Sequence, residues 1–254
     1  MVFLTFFVKN LLAKLQYRSN FIGSIILLSV IYSSKLLFID TLFNYSDGLG
    51  GWSKTEVFFI FYLSIIVWLG TGVIDSSVYS YFRQVHSGKI DPFLIKPTGQ
   101  LMTLFVRWCD PSKLIILAMM LPLGYMFKDA IEPQSVMRWF GFATLVIVAI
   151  GLNALFIATL NLGVFVIQRY LPVDFIVSEL NRMSHIPVSL YPTKGIEVIF
   201  TLLPTVFCAS IPAAYIIKSS DYFGWVMVAV FAVYAVGFRI VFYRMLSRFN
   251  GLGG

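Results

Sequence analysis

Charge is scarce in this sequence. Of 254 residues, 12% are Asp, Glu, Lys or Arg, and 59% are apolar by type. A soluble globular domain carries about 25% charge and about 45–50% apolar residues. The shortage excludes an ordinary soluble domain, and it excludes a disordered chain, which needs high charge and low hydrophobicity. Cysteine is nearly missing: Cys109 and Cys208 stand far apart with no CxxC. A disulfide-built module is therefore excluded, and both read as small buried hydrophobes. Histidine occurs twice, as His86 and His185. Each is isolated in a polar connection and reads as a solvated loop residue, so no metal site is expected. There is no GxSxG, no HExxH and no Cys/His cluster, hence no catalytic residue to name. There is no GxxxxGK[ST] either, so the chain has no phosphate cradle, should not hydrolyse ATP and is expected to hold no cofactor itself.

What is abundant is apolar and aromatic. Phe alone contributes 25 residues, and mean hydropathy is +0.85. A chain of this size cannot hide so much apolar surface from water, so the reading is an all-α integral membrane protein in a lipid bilayer. The net charge of +7 raises nucleic acid as a partner in principle. No basic stripe supports it, and basic residues of membrane proteins collect on the cytoplasmic side. No nucleic-acid partner is expected.

A span needs about 20 apolar residues. Six segments qualify: 21–39, 57–74, 114–127, 139–167, 196–217 (broken by Pro204 and Pro212) and 222–242. The third is short unless it begins before Pro111. Ahead of them, residues 1–20 carry Phe7, Leu11, Leu12 and Leu15 at helical spacing, with Lys9 and Lys14 elsewhere on the wheel. This is the pattern of an amphipathic helix lying in the membrane interface rather than a cleavable signal. With the N-terminus in the cytoplasm, fourteen of the Lys and Arg residues fall inside and five outside, the five being Lys35, Lys54, Lys128, Arg138 and Lys218. The bias predicts a multi-pass protein of the inner or plasma membrane with both termini cytoplasmic. The two largest polar stretches, 79–113 and 168–195, then face the cytoplasm. Residues 1–254 read as a single transmembrane domain without repeats.

The span centres hold no Asp, Glu, His, Lys or Arg, and intramembrane charges are what proton relays and charged filters require. That argues against a self-contained proton-driven carrier. The remaining polarity is Asn153, Thr159, Asn161 and Gln168 in the fourth span. Asn153, Asn161 and Gln168 share a narrow sector of the wheel. Two uses fit them: the lining of a substrate conduit, or interhelical hydrogen bonding. The run Gly70-Thr71-Gly72 reads as close helix packing.

The most informative stretch is residues 82–97, FRQVHSGKIDPFLIKP. Ser87-Gly88 breaks one helix. Asp91 can cap the next, with Pro92 at its first position, and Pro97 stops it. Phe93, Leu94 and Ile95 present an apolar knob flanked by Arg83, Lys89 and Lys96. An exposed apolar tip on the soluble face of a membrane protein suggests a docking site for another protein.

This stretch resembles the (S/R)-G-(K/E)-(I/L)-D-x-x-L-x-(K/R)-P pattern of permease subunits of type-2 ABC exporters, through Ser87, Gly88, Lys89, Ile90, Asp91, Leu94, Lys96 and Pro97. Tyr17-Arg18-Ser-Asn-Phe21 is similar to the Y-R-x-(N/D)-F element before the family's first span. Tyr191-Pro192, Leu203-Pro204, Phe207 and Pro212-Ala213 are similar to the family's Y-P … L-P … F … P-A run. The resemblance covers nearly the whole chain. It implies six spans forming half of a dimeric conduit, with a separate cytoplasmic ABC ATPase that binds ATP and Mg. It implies that residues 82–97 hold the coupling helix, that the N-terminal helix with Tyr17 and Arg18 also touches the ATPase, and that residues 204–218 are partly re-entrant. The second permease is either another copy or a related chain. The function expected is outward transport of a hydrophobic or amphipathic substrate. The alternatives are a stand-alone carrier or channel, and a lipid-acting membrane enzyme, for which Asp75, Asp91, His86, His185 and Glu197 offer no motif spacing.

Overall fold

A computed structural model describes residues 2–16, 18–45, 50–94, 99–131, 134–167, 169, 171–191 and 196–248, with side chains from residue 5 on except 13–16, 18–21, 24, 25, 28 and 196–198. The described residues form helices and no sheet. In chain order these are α1 (Val2–Gln16), α2 (Arg18–Asn44), α3 (Lys54–His86), α4 (Asp91–Leu94), α5 (Gln100–Val106), α6 (Ser112–Met120), α7 (Val136–Asn161), α8 (Gly163–Ile167), α9 (Val173–Met183), α10 (Ile196–Leu202), α11 (Ser210–Ile217) and α12 (Tyr222–Ser247). Short 3-10 segments cover Leu121–Ala130, Val188–Leu190 and Pro204–Phe207.

α3 is the axle. Its start is fixed by a capping box: the Glu56 N–H donates to Ser53 Oγ at 3.4 Å, and the Ser53 N–H donates to the Glu56 carboxylate at 2.7 Å. At 33 residues it is about 50 Å long, well beyond the ~30 Å of a hydrocarbon core. Among the described residues, α3, α7 with α8, and α12 are long and apolar enough to cross a membrane. The apolar window of α3 is 78% buried within the protein, against 39% and 22% for the other two. α3 is therefore enclosed by neighbours, whereas α7 and α12 leave apolar faces outward. The core divides along α3. One cluster gathers Trp52, Phe59, Phe61, Leu145, Val188, Phe207 and Ile211 toward its Lys54 end. The other gathers Tyr81, Phe82, Ile90, Leu104, Phe165 and Phe242 toward its His86 end.

Three of the expected spans, the second, fourth and sixth, fall on helices long and apolar enough to cross, with α3 running on to His86, twelve residues beyond the expected end; the first falls on α2. The third is two pieces. After α6 the backbone tightens into a 3-10 run over Leu121–Ala130, with Pro122 near its start. Tyr62 donates its hydroxyl to the Met120 and Leu121 carbonyls, at 3.2 and 3.1 Å, where the winding changes.

The fifth differs most. Residues 196–217 are not one broken span but a helical hairpin. Its entry follows Ser189, whose hydroxyl accepts from Trp52 Nε1 at 2.9 Å and donates to the Gly50 carbonyl at 3.1 Å. Its exit, Lys218, pairs with Glu56 at 2.7 Å. Both ends therefore lie at the Lys54 end of α3. The bend at Leu203-Pro204 lies deep in the bundle, where Leu203 packs on both clusters. The aromatic rings of Phe200 and Phe207 meet across it at 5.7 Å. Pro212 does not break α11, because it sits in the first turn, where a missing N–H leaves no intrahelical bond unmade.

The segment leading into this hairpin corrects a second expectation. Residues 171–191 do not stay at one end of the molecule. Val173 and Val177 are buried in the His86-end cluster, the His185 ring lies edge-on to Phe61 at 4.9 Å, and Val188 joins the Lys54-end cluster. The path runs the length of the bundle. Hydropathy passes over it because only Val173, Val177, Leu180 and Ser184 face inward, a narrow stripe among Asp174, Ser178, Glu179 and Arg182. Lys35 and Arg182, assigned to opposite sides by the charge tally, line one cavity instead.

Basic side chains latch the hairpin at the Lys54 end. Arg138 donates to the Tyr215 carbonyl at 2.7 and 3.2 Å and stacks on the Tyr215 ring at 4.6 Å. Its partner Asp221 is too exposed to add much. Arg138→Ala is expected to cost about 1 kcal/mol and to lower the unfolding midpoint in detergent by about 2–4 °C. An unchanged midpoint in scanning fluorimetry would show that the latch does not hold the hairpin.

Candidate functional site

α3 ends in a Schellman motif. The Gly88 N–H donates to the Val85 carbonyl at 3.2 Å, and the Lys89 N–H donates to Gln84 at 2.9 Å. Gly88 has φ +67°, the left-handed conformation in which a Cβ is disfavoured. The helix that Ser87-Gly88 terminates is thus the long α3 itself. The chain then turns Ile90 fully inward against the cluster of Tyr81, Phe82 and Val85. The Ile90 carbonyl accepts from the Phe93 and Leu94 N–H groups at 2.8 and 3.3 Å. α4 therefore begins at Asp91 rather than after it: Asp91 is the first helical residue and Pro92 the second.

The apolar knob is turned inward, which corrects the exposed tip expected from sequence. Phe93 and Leu94 are half-buried on the protein's own core. The reason is local. Trp108 meets the Phe93 ring edge-on at 5.4 Å, the Arg107 guanidinium lies over it at 4.3 Å, and Gln100 Nε2 donates to the Phe93 carbonyl at 3.1 Å. What projects from the elbow is polar: Arg83, Lys89, Asp91 and Pro92 are exposed. Lys96, Pro97 and Tyr17 lie outside the described residues, as does the side chain of Arg18.

Three residues that sequence reading left unassigned hold this elbow. Arg107 is ringed by Phe93, Phe6 and Trp108 at 4.3, 5.1 and 5.2 Å. Burial pulls its pKa below the ordinary value, yet a guanidinium stays charged at any working pH. Trp108 donates its backbone N–H to Ser77 Oγ at 3.0 Å. Asn10 of α1 donates to the carbonyls of Arg107 and Cys109, both at 3.1 Å, and so ties α1 to the same unit. The Cys109 thiol is pushed up by burial, with the Asn10 hydrogen bond acting against it; a raised thiol is unreactive. No local signal marks these residues, because Phe6, Phe93 and Arg107 meet only through the fold.

The intramembrane asparagines pack within the bundle. Asn153 is 1% exposed. Its Nδ2 donates to Thr71 Oγ1 at 3.3 Å, and its Oδ1 accepts from the Thr205 hydroxyl. It thus joins α7 to α3 and to the hairpin, the interhelical use of such a residue. Asn161, equally buried, donates back to the Ile157 carbonyl at 2.8 Å, and Thr159 to Leu155 at 2.7 Å. Gln168 lies outside the described residues. Asn153 and Asn161 are buried within the protomer, and Thr159 is half-buried. The glycines beside Thr71 serve close approach: a Cβ on Gly70 would come within 2.4 Å of Ile150, and one on Gly72 within 2.5 Å of Lys113. Lys113 crosses Gly72 to reach Asp75 at 3.4 Å.

Apolar helices of membrane-crossing length, an inserted helical hairpin and a rigid polar elbow at the opposite end define a helical membrane protein with the parts of a transport permease. The family comparison agrees: a model described as ABC-2 family transporter protein matches residues 29–253. The chain belongs to that family and is a permease of an ABC-type transporter. Membership implies association with a cytoplasmic ABC ATPase. No curated protein and no solved structure matches the chain.

Proposed function

We propose that this chain is half of a dimeric conduit that exports a hydrophobic or amphipathic substrate, driven by a separate ATPase seated on the elbow between α3 and α5. In this reading the chain crosses the membrane six times with both termini cytoplasmic. The crossings are α2, α3, α6 with its 3-10 extension, α7 with α8, α9 with the residues up to Tyr191, and α12. Residues 196–217 dip in from the outer side and return. A second permease, a copy or a relative, completes the conduit.

The observation that carries the proposal is the construction of the elbow. It is welded directly to α3, closed by Gly88, anchored by Ile90 and braced by Arg107, and it presents Arg83, Lys89 and Asp91 outward. A rigid lever on the most enclosed helix transmits a push from a partner into the bundle rather than absorbing it. Arg83 and Lys89 suit acidic edges of a groove, an interaction that salt weakens.

The test co-expresses the chain with its candidate partner, a cytoplasmic ABC ATPase. Arg83→Glu with Lys89→Glu is expected to cut ATPase recovery about tenfold in low salt, with the unfolding midpoint unchanged. Wild-type recovery by that variant would overturn the docking surface. Uphill transport by the purified chain alone would overturn the dependence on a partner.

A further inference from the structure

A cavity of about 220 Å³ opens between α2, α3 and α9. Its walls include Lys35, Arg182, His185, Ser64, Asn181 and Trp68. Ser64 and Trp68 belong to the middle of the apolar stretch 57–74 of α3, so the cavity lies at the depth where charge is most costly. The Lys35 ammonium lies 3.2 Å from His185 Nε2 and about 6 Å from the Tyr32 and Phe61 rings. Among the described residues no carboxylate pairs with Lys35. The carboxylate nearest Lys35 in sequence, Asp40, lines the adjoining cleft and pairs with Lys54; Glu179 pairs with Arg182 at 3.3 Å, and both are substantially exposed. Because Lys35 can only donate, His185 accepts at Nε2 and carries its proton on Nδ1. That atom is buried and has no partner among the described residues.

Lys35 and His185 thus share a polar pocket at whose exposed rim stands Arg182, paired outward with Glu179. Membrane interiors retain such groups where a counter-charge visits. Next to it runs an apolar cleft of about 640 Å³ between α2, α3 and the α6 region, and Tyr32 forms a wall of both. We infer that this pair of cavities binds an amphipathic anion: a carboxylate or phosphate head at Lys35 and Arg182, and an acyl-like tail in the adjoining cleft. The head belongs either to a transported amphiphile or to an anionic lipid of the bilayer. Only the word cargo rests on the transport reading; the binding site does not.

Dodecyl phosphate, laurate and dodecanol are titrated against the full chain in phosphatidylcholine nanodiscs, with binding read from tryptophan fluorescence, which Trp68 reports from the wall. The two anions are expected to bind at least tenfold more tightly than the alcohol, about the effect of one charged hydrogen bond. Lys35→Gln and Arg182→Gln should each erase most of that preference while leaving dodecanol binding unchanged; Lys35→Arg should keep it. Equal affinity for alcohol and anion, or an unaltered preference in the well-folded Lys35→Gln variant, overturns the site. Displacement of dodecyl phosphate by phosphatidylglycerol in the disc assigns the site to a lipid head. Retained binding there, with export of the probe by the complex, assigns it to cargo. If the anion binds but no ATPase associates, the site stands and the transport reading fails.

Discussion

Ile90→Asp is expected to abolish ATP-driven transport and to reduce recovery of the partner ATPase by more than tenfold, while leaving the membrane bundle folded. Ile90 is fully buried between the end of α3 and the residues that α4 packs on. A carboxylate there is enclosed by the apolar side chains of Tyr81, Phe82 and Val85, and an unpaired buried charge costs several kcal/mol. The chain can escape that cost only by pulling the elbow out and opening the turn at Gly88. The Lys54-end cluster is separate from this one, so the damage stays local. Ile90→Val is the matched control: it removes one methyl at a cost of about 1 kcal/mol and should leave coupling intact. Wild-type ATPase recovery with Ile90→Asp would show that the elbow is not the point of attachment. A shift in the overall unfolding midpoint as large as the local cost would show that elbow and bundle form one cooperative unit.

The elbow was legible in sequence because its parts are local. Ser87-Gly88 followed by Ile-Asp-Pro carries the stop, the left-handed turn and the new start within a few residues. Which side of α4 faces inward was not legible, because Arg107, Trp108 and Asn10 are distant in sequence. The same contrast runs through the bundle. α3, α7 and α12 announce themselves by unbroken apolar length. α9 does not: it buries a narrow stripe against α7 and the hairpin bend and leaves a mixed face outward, with Asp174, Ser178 and Arg182 beside Phe175 and Ile176, so no unbroken apolar run marks it. The same distant packing brings His185 against Phe61 and Lys35, a contact no local pattern announces. The hairpin at 196–217 fell to the converse error, since its apolar length suits a span while Leu203-Pro204 folds it back on itself.

Asn153→Leu is expected to cost about 2 kcal/mol and to lower the unfolding midpoint by about 4–8 °C, more than any surface substitution. Leu keeps the branched shape of Asn with more bulk, so the loss is chiefly one of hydrogen bonding with some added crowding. In the native bundle Asn153 gives its amide to Thr71 on α3 and receives the hydroxyl of Thr205 at the bend of the hairpin. Thr71 and Thr205 are 2% and 0% exposed, so no water replaces the lost partner. Thr71 keeps a long bond to the Ile150 carbonyl at 3.5 Å; the Thr205 hydroxyl has no other partner among the described residues and bears most of the cost. A double-mutant cycle isolates the link. Thr205→Val in the Asn153→Leu background removes the stranded hydroxyl and should recover part of the loss, because deleting both partners is cheaper than deleting one. Strict additivity would mean that the hairpin is seated by shape alone. A negative coupling would mean that α3, the helix bearing the elbow, and the hairpin at the opposite end share one polar joint, so that a displacement of α3 moves the re-entrant bend with it.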